Sequence, residues 1–172
     1  MAHRLDQIIV FDPDGREIRL GRLWADRTAV LVFVRHFGCL FCREQIAALG
    51  PLRERVRQLG AELIVIGNGT VAQARAFREE TGTSPLFTDP TRQAYCAMEM
   101  RRGRRSVLTL GVLRNSIRAW RRGFRQSGVA GDPFQQGGVV IVNPAGRELY
   151  RFISREAGDH PAPSTILAIL EP

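Results

Sequence analysis

Apolar residues follow two different periods along this chain, and the periods predict where its strands and helices lie. Apolar runs at 29–34 and at 61–67, the second of which contains Glu62, are typical of buried strands. Two pairs of apolar segments flank the turn sequences Asp-Pro-Asp-Gly and Asn-Pro-Ala-Gly, so both pairs predict β-hairpins. The paired segments are 8–11 with 17–20, and 137–142 with 147–152.

The helical period appears between these strands. It covers 40–59, where Pro51 is expected to kink the helix. A second helix is predicted to begin after Thr70, its cap, and to end near residue 80. A short strand is predicted at 84–87, and further helices after 88–90, over 110–125 and at 163–170. This order indicates an α/β fold with a mixed central sheet flanked by helices and an N-terminal β-hairpin, formed by residues 1–172 as a single domain.

The charge of the chain is concentrated in one segment. All 25 basic residues are arginines, and the formal net charge is +8. Nine of the arginines fall within 101–125, which holds no acidic residue, whereas the other sixteen face seventeen acids. A surface helix packed by its apolar stripe is the favoured interpretation of 110–125, ahead of an anion site or a membrane-surface contact. Nucleic acid is not expected as a partner, since no binding motif accompanies the charge.

Several classes of protein are excluded by what the chain lacks. No run of about 18 apolar residues is present, so no membrane span is predicted. The first 15 residues lack a long apolar stretch, so no secretory signal is expected. Three cysteines do not make a disulfide framework, and a reducing cytoplasm fits them best.

The candidate chemistry lies where the strand at 29–34 meets the helix at 40–59. Cys39 and Cys42 stand at this junction as a Cys-x-x-Cys pair, which is typical of a thioredoxin-like redox site. A cysteine in the first turn of a helix meets unpaired N–H groups and the positive end of the helix dipole, which favour the nucleophilic thiolate. Cys42 lies three residues further along and can open or close a disulfide with Cys39.

Cys-x-x-Cys pairs also occur in structural zinc sites, in c-type haem sites and as unreactive core cysteines. Structural zinc needs four ligands, and the remaining candidates do not form a second closely spaced pair. Those candidates are Cys96, His3, His36 and His160. A c-type haem would need histidine at position 43, which is Arg43. Two unreactive core cysteines stay possible, since free cysteine is often buried.

Neighbouring residues add secondary hypotheses. Arg35 or His36 is expected to place positive charge near Cys39 and lower its pKa, unless strand alternation turns one of them to solvent or to Glu44. Leu40 and Phe41 are expected to be exposed and suited to docking a protein or lipid partner. Arg43 is expected to be solvated, and Cys96 to be a small buried apolar residue, with a resolving role as the lesser alternative.

Two segments resemble a known family. FVRHFGCLFCREQIAAL is similar to the active-site segment of the peroxiredoxin-like branch of the AhpC/TSA antioxidant family, within the thioredoxin-like superfamily. GDPFQQGGVVIVNPAGRELYRFISREAGDHP resembles the C-terminal hairpin of that branch. The resemblance covers about 8–170 and implies a thioredoxin-like fold, with Cys39 as the reactive thiol and Cys42 as its disulfide partner. No metal or other cofactor is expected.

The chain departs from ordinary peroxiredoxins at three positions. Their peroxide-binding hydroxyl falls at His36 and the proline of the same motif at Val32, while a later arginine falls at Gly137. The cis-proline that thioredoxins place near that arginine is also missing there. The fold therefore carries over better than the activity, and slow reaction with hydrogen peroxide is expected.

Together these features predict a dithiol oxidoreductase. The catalytic candidates are Cys39, Cys42, His36 and Arg35. The substrate is a peroxide, a lipid endoperoxide or a disulfide, and the partner is an external thiol reductant of thioredoxin or glutathione type. The alternative is a non-catalytic redox sensor or binding module that uses the same cysteine pair. The sequence does not decide the oligomeric state.

Overall fold

A mixed sheet of seven strands forms the centre of the part of the chain that the structure describes. The structure is a computed structural model in which residues 5–103 and 131–171 are described. In chain order the strands are β1 (Ile9–Phe11), β2 (Glu17–Arg19), β3 (Thr28–Phe33), β4 (Ala61–Gly67), β5 (Leu86–Thr88), β6 (Gly138–Val142) and β7 (Glu148–Ile153). Their order across the sheet is β2-β1-β5-β4-β3-β6-β7. β3, β4 and β5 are parallel, and the other neighbours are antiparallel.

Helices cover both faces of this sheet. They are α1 (Leu40–Leu49), α2 (Arg53–Gln58), α3 (Val71–Thr81), α4 (Gln93–Ala97) and α5 (Pro163–Leu170). The single helix predicted over 40–59 is divided, because Gly50–Leu52 forms a 3₁₀ turn between α1 and α2. Proline has no N–H to continue an α-helix, so Pro51 ends α1 instead of kinking it. No helix in the described residues is long and apolar enough to cross a membrane.

β3, like β4 and β6, contributes residues to both apolar clusters of the fold. Val30 and Val32 face the cluster that also contains residues of α1, α2, α3 and α5. Leu31 and Phe33 face the cluster that contains residues of α4 and the N-terminal hairpin. A strand that is buried on both faces has no polar alternation, which explains the continuous apolar run at 29–34.

Most of the predicted elements are confirmed. Both hairpins, the strand at 61–67 and the last helix form within one residue of their predicted bounds. Thr70 caps α3 as predicted, and its hydroxyl accepts the Gln73 N–H at 3.2 Å. The strand predicted at 84–87 begins two residues later, at Leu86, because Pro85 has no N–H for the ladder. The helix predicted at 110–125 lies outside the described residues.

Candidate active site

The loop of residues 34–39 connects β3 to α1 and brings the two cysteines together. Cys39 is the N-cap residue of α1, and Cys42 lies in its first turn. The Cys39 N–H donates to the His36 carbonyl at 3.1 Å, and the Arg43 N–H donates to the Cys39 carbonyl at 3.2 Å. Both cysteines are free thiols, with 2% of Cys39 and 1% of Cys42 exposed. The predicted strand-to-helix junction is therefore present, and it lies inside the protein.

The surroundings of Cys39 favour its thiolate. A hydrogen bond from the Cys42 thiol is the largest influence on the pKa of Cys39. The positive charge of Arg35 and the N–H groups of Cys42 and Phe41 also stabilise the thiolate. Burial acts in the opposite direction, because it penalises a charged sulfur. The balance lowers the pKa of Cys39 from 9.0 to about 7. Near neutral pH a large fraction of Cys39 is therefore ionised.

Cys42 has the opposite character. Burial raises the pKa of Cys42 well above its ordinary value, and the hydrogen bond with Cys39 and its charge raise it further. The Arg35 backbone N–H donates to the Cys42 sulfur at 3.3 Å. Cys42 therefore keeps its proton while it stabilises charge on Cys39.

Arg35 is the cation of the site. It is 4% exposed, and its Nε donates to the Gln135 carbonyl at 3.2 Å while Nη2 donates to the Pro133 carbonyl. Neither acceptor carries a charge, so these bonds hold the guanidinium in place without neutralising it. The segment before β6 thus fixes a positive charge beside the cysteines.

His36 is buried as well, which corrects the expectation that strand alternation turns one of the pair to solvent. β3 ends at Phe33, so the strand period no longer applies to residues 35 and 36. Burial lowers the pKa of His36 to about 4, and the nearby charge of Arg35 contributes in the same direction. His36 is therefore neutral at pH 7. Its Nδ1 is buried and has no hydrogen-bond partner among the described residues.

The segment Gly67-Asn68-Gly69 supports the loop from the neighbouring strand. A Cβ at Gly67 would lie 2.2 Å from the Phe37 ring, and one at Gly69 would lie 2.7 Å from it, so both positions must lack a side chain. Asn68 is 5% exposed, and its Nδ2 donates to the Arg35 carbonyl at 2.5 Å. The sequence indicated only a turn here, although a polar residue between glycines at the end of a buried strand was a usable signal.

Tyr95 is a second supporting residue that the sequence did not single out. It is fully buried on α4, and its hydroxyl lies 2.7 Å from the Val34 carbonyl and 2.9 Å from the Ile66 carbonyl. Its ring contacts Phe33 edge-on at 5.1 Å between centroids. The single Tyr95 hydroxyl proton therefore has an acceptor at the ends of β3 and β4, where the loop begins.

Gly137 leaves no room for the arginine that ordinary peroxiredoxins carry at the aligned position. A Cβ at Gly137 would lie 2.4 Å from the Phe33 carbonyl oxygen, because β6 runs close beside the end of β3. The positive charge comes instead from Arg35, which follows β3. The cis Ser84–Pro85 bond precedes β5 and is remote in sequence from Gly137.

Three expectations about neighbouring side chains are wrong. Phe41 is 5% exposed and packs in the core with Cys42, so it cannot serve as an exposed docking residue. Arg43 is paired with Glu80 and lies 5.5 Å above the Phe77 ring instead of being solvated. Cys96 is exposed, because the face of α4 that enters the core carries Ala94 and Tyr95.

The described residues hold no group of three or more His, Cys, Asp or Glu side chains placed to bind a metal ion.

The geometry agrees with comparisons to known proteins. The model of the AhpC/TSA antioxidant enzyme family matches residues 48–156. This chain belongs to the AhpC/TSA antioxidant enzyme family. The match begins after both cysteines, so AhpC/TSA membership does not by itself assign roles to the two thiols.

Named relatives place the chain in the peroxiredoxin-like branch, as predicted. Thioredoxin-like protein AAED1, chloroplastic, of Arabidopsis thaliana is 33% identical, and the alignment covers 96% of this chain and 71% of that protein. Peroxiredoxin-like 2C of Mus musculus is 31% identical, with 99% of this chain and 80% of that protein covered.

Solved structures confirm the thioredoxin-like fold of this AhpC/TSA member. The peroxidoxin BcpB of Mycobacterium tuberculosis superposes with a TM-score of 0.69 at 18% identity, over 95% of this chain and 90% of that one. Peroxiredoxin Q of Xanthomonas campestris superposes with a TM-score of 0.70 at 14% identity, over 98% of this chain and 92% of that one. Family and fold together indicate oxidoreductase activity.

Proposed function

We propose that this protein is a dithiol oxidoreductase in which Cys39 is the nucleophile and Cys42 the resolving thiol. The observation that carries the proposal is the placement of two buried free thiols at the start of α1, where Cys39 is the N-cap residue and the Cys42 sulfur accepts the Arg35 N–H at 3.3 Å. These surroundings lower the pKa of Cys39 to about 7 and raise that of Cys42. One sulfur is available as a thiolate near neutral pH, and the other stands beside it with its proton.

With a peroxide, the reaction has two steps on the protein. The Cys39 thiolate attacks one peroxide oxygen, an S–O bond forms as the O–O bond breaks, and the released alkoxide takes up a proton to become an alcohol. With a hydroperoxide the sulfur is thereby oxidised to a sulfenic acid, and with an endoperoxide to a sulfenate ester that keeps the second substrate oxygen. Cys42 then attacks that sulfur and displaces water from the sulfenic acid, or the second alcohol of the substrate from the ester, which leaves a Cys39–Cys42 disulfide.

With a disulfide substrate, Cys39 forms a mixed disulfide and releases one thiol of the substrate. Cys42 then displaces the second thiol and closes the same internal bond. In both routes an external thiol reductant, of thioredoxin or glutathione type, supplies two electrons and two protons to restore the thiols. No metal or organic cofactor is required by this scheme.

Arg35 and His36 are assigned different roles in the proposal. Arg35 stabilises the Cys39 thiolate through its buried charge. His36 is neutral, so it does not add charge, but a neutral imidazole can donate one N–H to the departing oxygen. His36 stands where ordinary peroxiredoxins carry the hydroxyl that helps to polarise the peroxide.

The proposed substrates are organic or lipid peroxides, lipid endoperoxides and disulfides, with hydrogen peroxide the poorest. The choice of an endoperoxide as substrate is supported by the name of one relative, the prostamide/prostaglandin F synthase of Aquarana catesbeiana, which is 27% identical over 91% of this chain. A cytoplasmic location stays a prediction, and one relative is named as chloroplastic.

Steady-state turnover tests the proposal. Oxidation of NADPH is followed with thioredoxin and its reductase, or with glutathione and its reductase, while hydroperoxides and disulfides are supplied in turn. We expect turnover with at least one pair of substrate and reductant, its loss in Cys39→Ser, and its retention in Cys96→Ser as the matched control. Oxidation of the pair without turnover in any combination would favour the redox sensor instead.

Peptide mapping after mild oxidation tests the assignment of the resolving thiol. One equivalent of peroxide or disulfide is expected to give an internal bond between Cys39 and Cys42 as the main product. A main product that links Cys96 to either residue would contradict the assignment.

A further inference from the structure

Asn68 joins two segments at the candidate active site, the loop of residues 34–39 and residues 131–135. Its Nδ2 donates to the Arg35 carbonyl at 2.5 Å, and its Oδ1 accepts the Asp132 N–H at 2.8 Å. The side chain is 5% exposed, and a Cβ at Gly131 would lie 2.1 Å from Oδ1. The 131–135 segment therefore packs directly on the Asn68 amide.

Arg35 has contacts on both sides of Asn68: its backbone lies in the loop, and its side chain binds the 131–135 segment. The Arg35 backbone N–H donates to the Cys42 sulfur at 3.3 Å, and the Pro133 and Gln135 carbonyls accept from its guanidinium. Asn68 thus binds the Arg35 carbonyl directly. It also binds the segment whose Pro133 and Gln135 carbonyls accept from the Arg35 side chain. A shift of either segment would move the guanidinium relative to the cysteines.

The 131–135 segment is itself anchored at Asp132. Its carboxylate accepts from Arg92 and Arg102, and its Oδ1 accepts the Phe134 N–H at 2.9 Å. Arg92 has a positive φ of 61°, an uncommon conformation for a residue with a side chain. Several contacts thus fix this segment from outside, and Asn68 links it to the loop beside the hydrogen bonds that the Arg35 side chain makes itself.

We propose that Asn68 is a positioning residue for the dithiol, which fixes Arg35 relative to the two sulfur atoms by bridging the Arg35 carbonyl and the Asp132 amide. Asn68 does not touch the sulfur atoms in this arrangement and acts through Arg35. The inference rests on the proposed role of Arg35 in stabilising the Cys39 thiolate.

The test is the pH dependence of Cys39 alkylation in Asn68→Ala and Asn68→Ser. Rates with iodoacetamide are measured on the Cys39 peptide by mass spectrometry, in folded full-length protein. We expect the midpoint of the pH curve to move upwards in both variants, with an approximately twofold slower reaction at pH 6, because a displaced guanidinium stabilises the thiolate less than a fixed one. A loss of stability without a shift of the midpoint would show a merely structural role and overturn the proposal.

Asn143 provides the matched control. Its Oδ1 accepts the Arg147 N–H at 2.9 Å in the β6–β7 turn, so Asn143→Ala also removes an asparagine contact to backbone. We expect this variant to leave the midpoint unchanged. If both Asn68 variants fail to fold, Asn68 is a residue required by the fold, and the specific role is rejected.

A double-variant cycle separates this inference from the proposed role of Arg35. If Asn68 acts through Arg35, Asn68→Ala adds little to the midpoint shift once Arg35→Met is present. A shift by Arg35→Met alone, with none from Asn68, would overturn the positioning role and leave the proposed function intact. No shift from Arg35→Met would overturn the role of Arg35 itself, and the positioning inference with it.

Discussion

Replacing Arg35 by methionine tests how the Cys39 thiolate is stabilised. Methionine fills similar space without charge, but it leaves the Pro133 and Gln135 carbonyls without the guanidinium donors. We therefore expect some loss of stability, about 1–3 kcal/mol on the usual cost of unpaired buried polar groups. The informative quantity is the ionisation of Cys39 in the protein that remains folded.

The size of the effect follows from the pKa of Cys39. That pKa is lowered from 9.0 to about 7, with Arg35 the next stabilising influence after the Cys42 hydrogen bond. One nearby opposite charge lowers a pKa by roughly one unit or more, which corresponds to about 1.4 kcal/mol. We therefore expect the midpoint for Cys39 in Arg35→Met to rise to about 8.

Two opposing factors then set the rate of alkylation. At pH 6 the thiolate fraction falls about ninefold, while the more basic thiolate becomes about threefold more nucleophilic, since the Brønsted coefficient is about 0.4–0.5. The variant should therefore react about threefold more slowly at pH 6. At pH 9.5, where both proteins are ionised, it should react about threefold faster.

The assay is the rate of iodoacetamide labelling of the Cys39 peptide between pH 5 and pH 10. Arg43→Met is the matched control, because Arg43 is also an arginine close to the cysteines in sequence but is paired with Glu80. We expect the control curve to coincide with that of the wild type. An Arg35→Met curve whose midpoint stays near 7 would refute the assignment of Arg35 as the stabilising cation.

Two further predictions concern peroxide and packing. Reaction of the reduced protein with hydrogen peroxide should be slow, since His36 replaces a hydroxyl and two guanidinium nitrogens of Arg35 already donate to carbonyls. A stopped-flow rate constant of roughly 10⁷ M⁻¹s⁻¹ or above would show that the site is an efficient peroxidase after all. Gly137→Ala should lower stability by about 1–3 kcal/mol in thermal unfolding, because its Cβ would meet the Phe33 carbonyl oxygen. Gly50→Ala has open space and should be neutral or stabilising, and equal losses in both variants would contradict the packing argument.

Local features of the sequence predicted the framework of this protein well. Hairpins, buried strands and the Thr70 cap depend on residues close together in the chain, and so does the position of Cys39 and Cys42 at a helix start. The family resemblance was also confirmed. Such features carry their own structural signal, and no distant contact is needed to recognise them.

The surroundings of the cysteines could not be predicted in the same way, because they are assembled from distant segments. Asn68 meets Arg35 across 33 residues of chain, and Gln135 meets it across 100. The errors at Phe41 and Cys96 have a related cause. A helical period shows that one face is apolar, but it does not show which neighbouring residue the sheet will bury.

The order in which the two thiols react is the most direct test of the account. Reduced protein is treated with a limiting amount of iodoacetamide at pH 7, and the Cys39 and Cys42 peptides are quantified separately. The account predicts that Cys39 is labelled first, because its pKa is lowered to about 7 while that of Cys42 is raised. Preferential labelling of Cys42 would contradict it and reverse the roles of nucleophile and resolving thiol.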